Sequence, residues 1–332
     1  MVRRPKKNLK TNNMTHIFLY AIVPIFVVML VGYIAGRRGV FGGEDASRFN
    51  KVVLNYALPA ALFVSIVDAT RQELARDAKL AAVAAITIIG TFMLVYFIFK
   101  YCFKKNTGAE AAVSSLISGS PTIGFLGFAV LEPIFGTSPT VALVIAIVGI
   151  VVNAIGIPLG LSLLNASIEK RSSDAKHQSA WSPVVHALSQ PVAWAPILAV
   201  VWVIVGIPWP GWASPSFDLI AKANASLAVF SAGITLSTIR FTVNIQVILG
   251  SVMKMLVMPA VALLLGLLIH MEPTNLRMLV LATSLPPAFS GVIIAEQYKT
   301  YVATGTSSLT LSILLFILTC PFWLTLTDRL LS

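Results

Sequence analysis

Two long apolar segments of this chain are each interrupted in the middle by proline. The first reads Ser118-Gly119-Ser120-Pro121-Thr122-Ile123-Gly124, the second Ser284-Leu285-Pro286-Pro287-Ala288-Phe289-Ser290-Gly291. Proline has no N–H and clashes with the turn before it, so a helix opens there. In a bilayer the freed amides and carbonyls need partners, and irregular backbone is tolerated only where protein buries it or a wet cavity meets it. Two breaks at matching places in two chain halves point to a binding site near the membrane midplane. The plainer alternative is a pair of unrelated proline kinks; the matching positions favour the site.

The membrane reading rests on composition. Of 332 residues, 57% are hydrophobic and only 11% charged, whereas a soluble domain carries about a quarter charged residues. Apolar stretches of about 20 residues, the length a bilayer core demands, recur along the chain. The net charge of +11 sits mostly in short loops, where Lys and Arg mark the cytoplasmic side, so it is no sign of a nucleic-acid partner. Cys102 and Cys320 read as small apolar residues, not a disulfide or a metal pair. There is no P-loop, His-Glu zinc motif or Gly-x-Ser-x-Gly elbow. No enzyme activity, metal or cofactor is expected, and any transport must draw on a gradient or the membrane potential.

Apolar spans are predicted at 15–36, 49–68, 79–103, 109–135, 139–165, 184–206, 217–238, 245–271, 275–297 and 302–327. The expected fold is an all-α polytopic membrane protein of ten transmembrane helices. Residues 1–14 form a basic tail, 15–165 a first repeat, 166–183 a polar linker and 184–332 a second repeat. Pro121 and Pro286 are 165 positions apart, and Pro158 and Pro321 are 163 apart. With five helices per copy, the second copy inserts upside down, giving a 5+5 inverted repeat in which the broken helices 4 and 9 cross. Arg37, Arg38, Lys104, Lys105, Lys170, Arg171 and most other loop cations follow odd-numbered helices. Positive-inside then places the linker between helices 5 and 6 in the cytoplasm and both termini outside the cell (inner) membrane.

Several stretches resemble the auxin efflux carrier family, in its bacterial branch of malonate- and malate-type permeases. They include Ile22-Val23-Pro24-Ile25-Phe26 with Gly32-Tyr33, Ala57-Leu58-Pro59-Ala60-Ala61-Leu62-Phe63, and Leu227-Ala228-Val229-Phe230-Ser231-Ala232-Gly233. Lys254 with Pro259 follows, then Leu285-Pro286-Pro287 through Ala295-Glu296-Gln297-Tyr298. The resemblance implies crossed broken helices, a scaffold and a transport domain in elevator-like movement, a homodimer, and a small carboxylate substrate, with malonate or a similar dicarboxylate leading. Two positions depart from the family pattern: Thr122 stands where Asn commonly follows the crossover proline, and Gln190 where Asn commonly precedes Pro191. Alternatives are a sodium-coupled symporter of the bile-acid type and an auxin-like monocarboxylate exporter; sodium dependence separates the former.

Carboxylate capture needs unpaired donors and a positive field, both available where a broken helix restarts. Thr122, Ile123 and Gly124 are placed to supply them after Pro121, and Ala288, Phe289 and Ser290 after Pro286 and Pro287. Asn55 and Leu58 are expected to wall the site, with Gln190 offering an amide. Lys254 lies well inside an apolar run, where an unpaired charge is costly. It reads as an anion-attracting or coupling charge, or else as a structurally paired lysine; no acid is an evident partner. Trp209 and Trp212 read as an interfacial aromatic belt.

Overall fold

The computed structural model describes residues 23–67, 71, 78–103, 106–169, 191–238 and 241–331. In chain order these contain α1 (Val23–Arg37), α2 (Gly43–Val67), α3 (Lys79–Tyr101), α4 (Gly108–Ser118), α5 (Ile123–Phe135) and α6 (Pro139–Ile168). They continue with α7 (Pro191–Val205), α8 (Ser214–Thr238), α9 (Ile245–Leu268), α10 (Pro273–Thr283), α11 (Phe289–Gln297) and α12 (Val302–Leu330). Among the described residues α2, α3, α6, α8, α9 and α12 are long and apolar enough to cross a membrane. The predicted spans 109–135 and 275–297 are instead each two short helices, because the proline breaks divide them into α4–α5 and α10–α11. The basic tail and most of the predicted linker lie outside the described residues.

Helix starts follow local chemistry. Thr107 and Glu110 form a reciprocal capping box on α4, with Glu110 N donating to Thr107 Oγ1 (3.2 Å) and Thr107 N to Glu110 Oε2 (2.7 Å). Ser138 before Pro139 opens α6, and Glu272 before Pro273 opens α10. Prolines inside long helices leave a different mark. Wide π-helical turns occupy Val53–Ala57 in α2, Val151–Gly156 in α6 and Met253–Val257 in α9. Each ends two residues before a proline: Pro59, Pro158 and Pro259. Widening the turn relieves the clash between the proline ring and the carbonyl four residues earlier, and leaves that carbonyl without its usual donor.

In α9 the carbonyl so released belongs to Met255, and it accepts a hydrogen bond from Trp323 Nε1 of α12 at 2.9 Å. Trp323 is buried, so Trp323→Phe leaves that carbonyl unpaired. It is expected to destabilise the fold by about 1–3 kcal/mol, read as a lowered thermal midpoint in detergent.

The helices pack as two groups. One joins α1, α2, α7 and α8; α8 lies along α1, and α2 contacts both α7 and α8. The other joins α3 to α6 with α9 to α12, where α4 packs on α3, α6 and α11, and α9 on α3, α10 and α12. The groups meet where α8 touches α5 and where α2 and α7 touch α6. Trp209 is not a free interfacial ring: it meets Phe63, Trp202 and Phe217 edge-on at 5.1 to 5.6 Å and donates from Nε1 to Ser214 Oγ. Trp212 stays 83% exposed. The start of α8 packs on α2, and through Phe217 and Ser214 it meets Trp209.

Candidate functional site

The two proline breaks meet. Pro121 lies opposite Pro287 in an isolated antiparallel bridge. Thr122 N donates to Pro286 O and Ala288 N to Ser120 O, both at 2.8 Å. In this pairing the residues directly opposite each other exchange no hydrogen bond, so the two prolines stand where no N–H is needed. The partner of Pro121 is therefore Pro287, one residue beyond the Pro286 expected from sequence spacing. Pro286 supplies a carbonyl instead.

Six residues were expected to offer free amides, and the bridge changes that set. Thr122 and Ala288 spend theirs on the bridge, and Ile123 N turns back to Pro121 O at 2.8 Å. Gly124, Phe289 and Ser290 keep N–H groups without an acceptor among the described residues. These belong to the first turns of α5 and α11, whose positive dipole ends thus converge. The Oγ of Ser120 and Oγ1 of Thr122 are buried with no hydrogen-bond partner among the described residues.

A cavity of about 80 Å³ opens at this point. Thr122, Ile123, Gly124, Ala288, Phe289, Ser290 and Leu58 all line it, with Pro121. Among the described residues its other polar side chains are Asn50 and Asn153, and none of those lining it is ionisable. At roughly 10–15 Å³ per water position it holds a handful of waters or one small molecule. A larger groove of about 450 Å³ between α1, α8 and α12 offers only the hydroxyls of Tyr33 and Thr310, and lacks the convergent polar groups of a binding site.

Asn55 is not part of this wall. From α2 the cavity receives Asn50, Leu54, Leu58 and Leu62, a repeat of four residues, and Asn55 is exposed on another side. The π turn explains the repeat. Across the twelve positions from Asn50 to Leu62, a regular helix at about 100° per residue overshoots three turns by about 120°; a turn absorbing one extra residue cuts this to about 20°. Asn50 was missed because the shift depends on that widened turn. Its signal in the sequence was Pro59, two residues beyond the turn.

Lys254 does not line the cavity either. It is wholly buried, and its Nζ donates to the carbonyl of Thr283, the last residue of α10. A lysine donor at a helix C-terminus satisfies an orphan carbonyl. Lys254 thus supports the second break from behind. Gln190 lies outside the described residues. Asn153 donates to Gly149 O at 2.8 Å.

A family model described as membrane transport protein matches residues 17–324. The chain belongs to this family, that of the auxin efflux carriers. It is 49% identical over 307 residues, 92% of this chain and 96% of the relative, to "Uncharacterized transporter YfdV" of Escherichia coli K12. An "Uncharacterized transporter" of Methanothermobacter thermautotrophicus is 27% identical, covering 91% of this chain and 96% of its own. A Rhizobium meliloti protein named "Putative malonate transporter" is 23% identical, covering 90% and 92%. This membrane transport protein is thus an integral membrane protein with several spanning helices, and the crossing described above lies within the matched region.

Proposed function

We propose that the protein is a secondary transporter of a small organic anion, a carboxylate held at the crossing of α4–α5 and α10–α11. One observation carries the reading. Gly124, Phe289 and Ser290, whose amides have no acceptor among the described residues, line one small cavity together with Thr122, and none of its described lining residues is ionisable. An anion there meets preorganised donors and two positive helix ends and no competing carboxylate. A short dicarboxylate such as malonate is the leading substrate, in keeping with the name of the Rhizobium relative.

The same reading takes the ten spans as a 5+5 inverted repeat, supported by the antiparallel pairing of the two breaks. It takes α1, α2, α7 and α8 as a scaffold past which the other group moves in an elevator-like, alternating-access cycle, supported by the division of packing between the groups. A homodimer in the cell membrane, termini outside and the α6–α7 connection cytoplasmic, completes it.

Purified protein in liposomes is expected to show saturable uptake of a radiolabelled C2–C5 carboxylate. Thr122→Val keeps the shape but removes the hydroxyl and is expected to lower uptake about tenfold, the value of one charge-assisted hydrogen bond. Absence of saturable flux for every carboxylate in the series would overturn the reading.

A further inference from the structure

We propose that Asn50, oriented by Ser231, reads the end of the substrate remote from the free amides, and so selects anions whose far end accepts a hydrogen bond. The inference rests on the anion reading of the crossing and concerns the opposite wall of the same cavity. Asn50 begins the α2 stripe that continues with Leu54, Leu58 and Leu62. The three leucines offer no polar atom. The head of the stripe does.

The Asn50 amide is held from behind. Ser231 Oγ, fully buried in α8, lies 2.6 Å from Asn50 Oδ1 and 3.0 Å from the carbonyl of Ala46. The one Ser231 O–H is shared between Asn50 Oδ1, the shorter contact, and Ala46 O, which holds the amide with its NH2 turned away from Ser231. Asn50 Nδ2 has no partner among the described residues, and it is absent from the buried unsatisfied groups. It is therefore an accessible donor on a cavity-lining side chain. The backbone beneath it is braced by Phe41, Phe49 and Phe230, whose rings meet edge-on at 5.6 to 6.1 Å.

The cavity thus has donors at two places, separated by leucine. One set is the amides of Gly124, Phe289 and Ser290; the other is Asn50 Nδ2. Asn153, also on the lining, commits one of its two Nδ2 hydrogens to Gly149 O. A short anion carrying a second carboxylate, a carbonyl or a hydroxyl satisfies both ends. An alkyl monocarboxylate leaves the Asn50 donor unpaired once the substrate has displaced water, and a donor left unpaired is what lets a polar site reject an analogue lacking its partner.

The test compares malonate with propionate, matched in chain length, in proteoliposomes of wild type, Asn50→Asp, Asn50→Leu and Ser231→Ala. Wild type is expected to favour malonate. Asn50→Asp replaces a donor by a like charge and is expected to lower the malonate-to-propionate ratio at least tenfold; Asn50→Leu should lower it about as far. Ser231→Ala, which frees the amide to rotate, should lower it by about threefold. Three variants guard against a misfolded one, each judged by its elution and thermal midpoint. A ratio within twofold of wild type in the folded variants overturns the proposal, as does an equal loss of both fluxes, which marks Asn50 as a mere α2–α8 tie. If wild type carries neither anion nor any other carboxylate, the anion reading itself falls and takes this role with it.

Discussion

Gly233→Ala is expected to be the most damaging single-methyl change in the protein. A Cβ at this position lands far inside contact distance of the Met29 carbonyl oxygen, and 2.9 Å from both Met29 C and Tyr33 N. The reciprocal contact places a Cβ on Gly32 against the carbonyl oxygen of Phe230 and 3.1 Å from its carbon. These obstacles are backbone atoms of the facing helix, so no side chain can swing aside. Gly32 and Gly36 in α1 and Gly233 and Ser237 in α8 form two small-residue ridges, spaced four apart, that let the helix backbones touch. Separating them costs on the order of 3 kcal/mol or more by overpacking and opens the seam of the α1, α2, α7, α8 group. The expected result is a large fall in thermal midpoint in detergent, or no monodisperse protein. Gly90→Ala in α3 is the control: nothing lies within 4 Å of its Cβ, and helix propensity alone predicts a gain of up to about 1 kcal/mol. Equal midpoints for Gly233→Ala and wild type would refute the close seam.

Lys254→Met is expected to spare folding and impair transport. The methionine fills most of the space, and losing a desolvated charge offsets part of the cost of the Thr283 carbonyl left without its donor, about 1–3 kcal/mol. What it removes is the tie between α9 and the last residue of α10, three residues ahead of the Pro286 carbonyl that accepts from Thr122. Loosening that end displaces the restart of α11 and its free amides. The apparent KM is expected to rise at least tenfold, with a smaller change in maximal rate, because Lys254 acts on the site through α10 and not by touching the anion. Lys254→Gln, which keeps a donor, should restore part of the loss. A KM unchanged in Lys254→Met would refute this positioning role.

Much of the scaffold was legible from residue pattern. Pro121 and Pro287 in their apolar runs locate both breaks. Thr107 with Glu110 marks where α4 begins, and Glu272 before Pro273 marks α10. The candidate site was legible only in outline. Thr122, Ile123, Gly124, Ala288, Phe289, Ser290 and Leu58 do share one cavity, but three of the six expected amides are spent inside the crossing. Asn55, three residues before Leu58, fits one face of a regular helix, but the widened turn brings Asn50 to the cavity instead. Lys254 stood out as a charge in an apolar run, whereas its partner is a backbone carbonyl, which every residue carries and no residue type announces.

By itself, then, the sequence determined where the chain is apolar enough to span and where it must break, because proline's missing N–H and rigid ring act within one turn of their own position. Only the tertiary structure decided which broken end faces which and which amides stay free. Those outcomes hang on hydrogen bonds between residues more than 160 positions apart, such as Thr122 to Pro286 and Ala288 to Ser120. The backbone groups that make them are chemically alike along the chain, so only the packing selects among them.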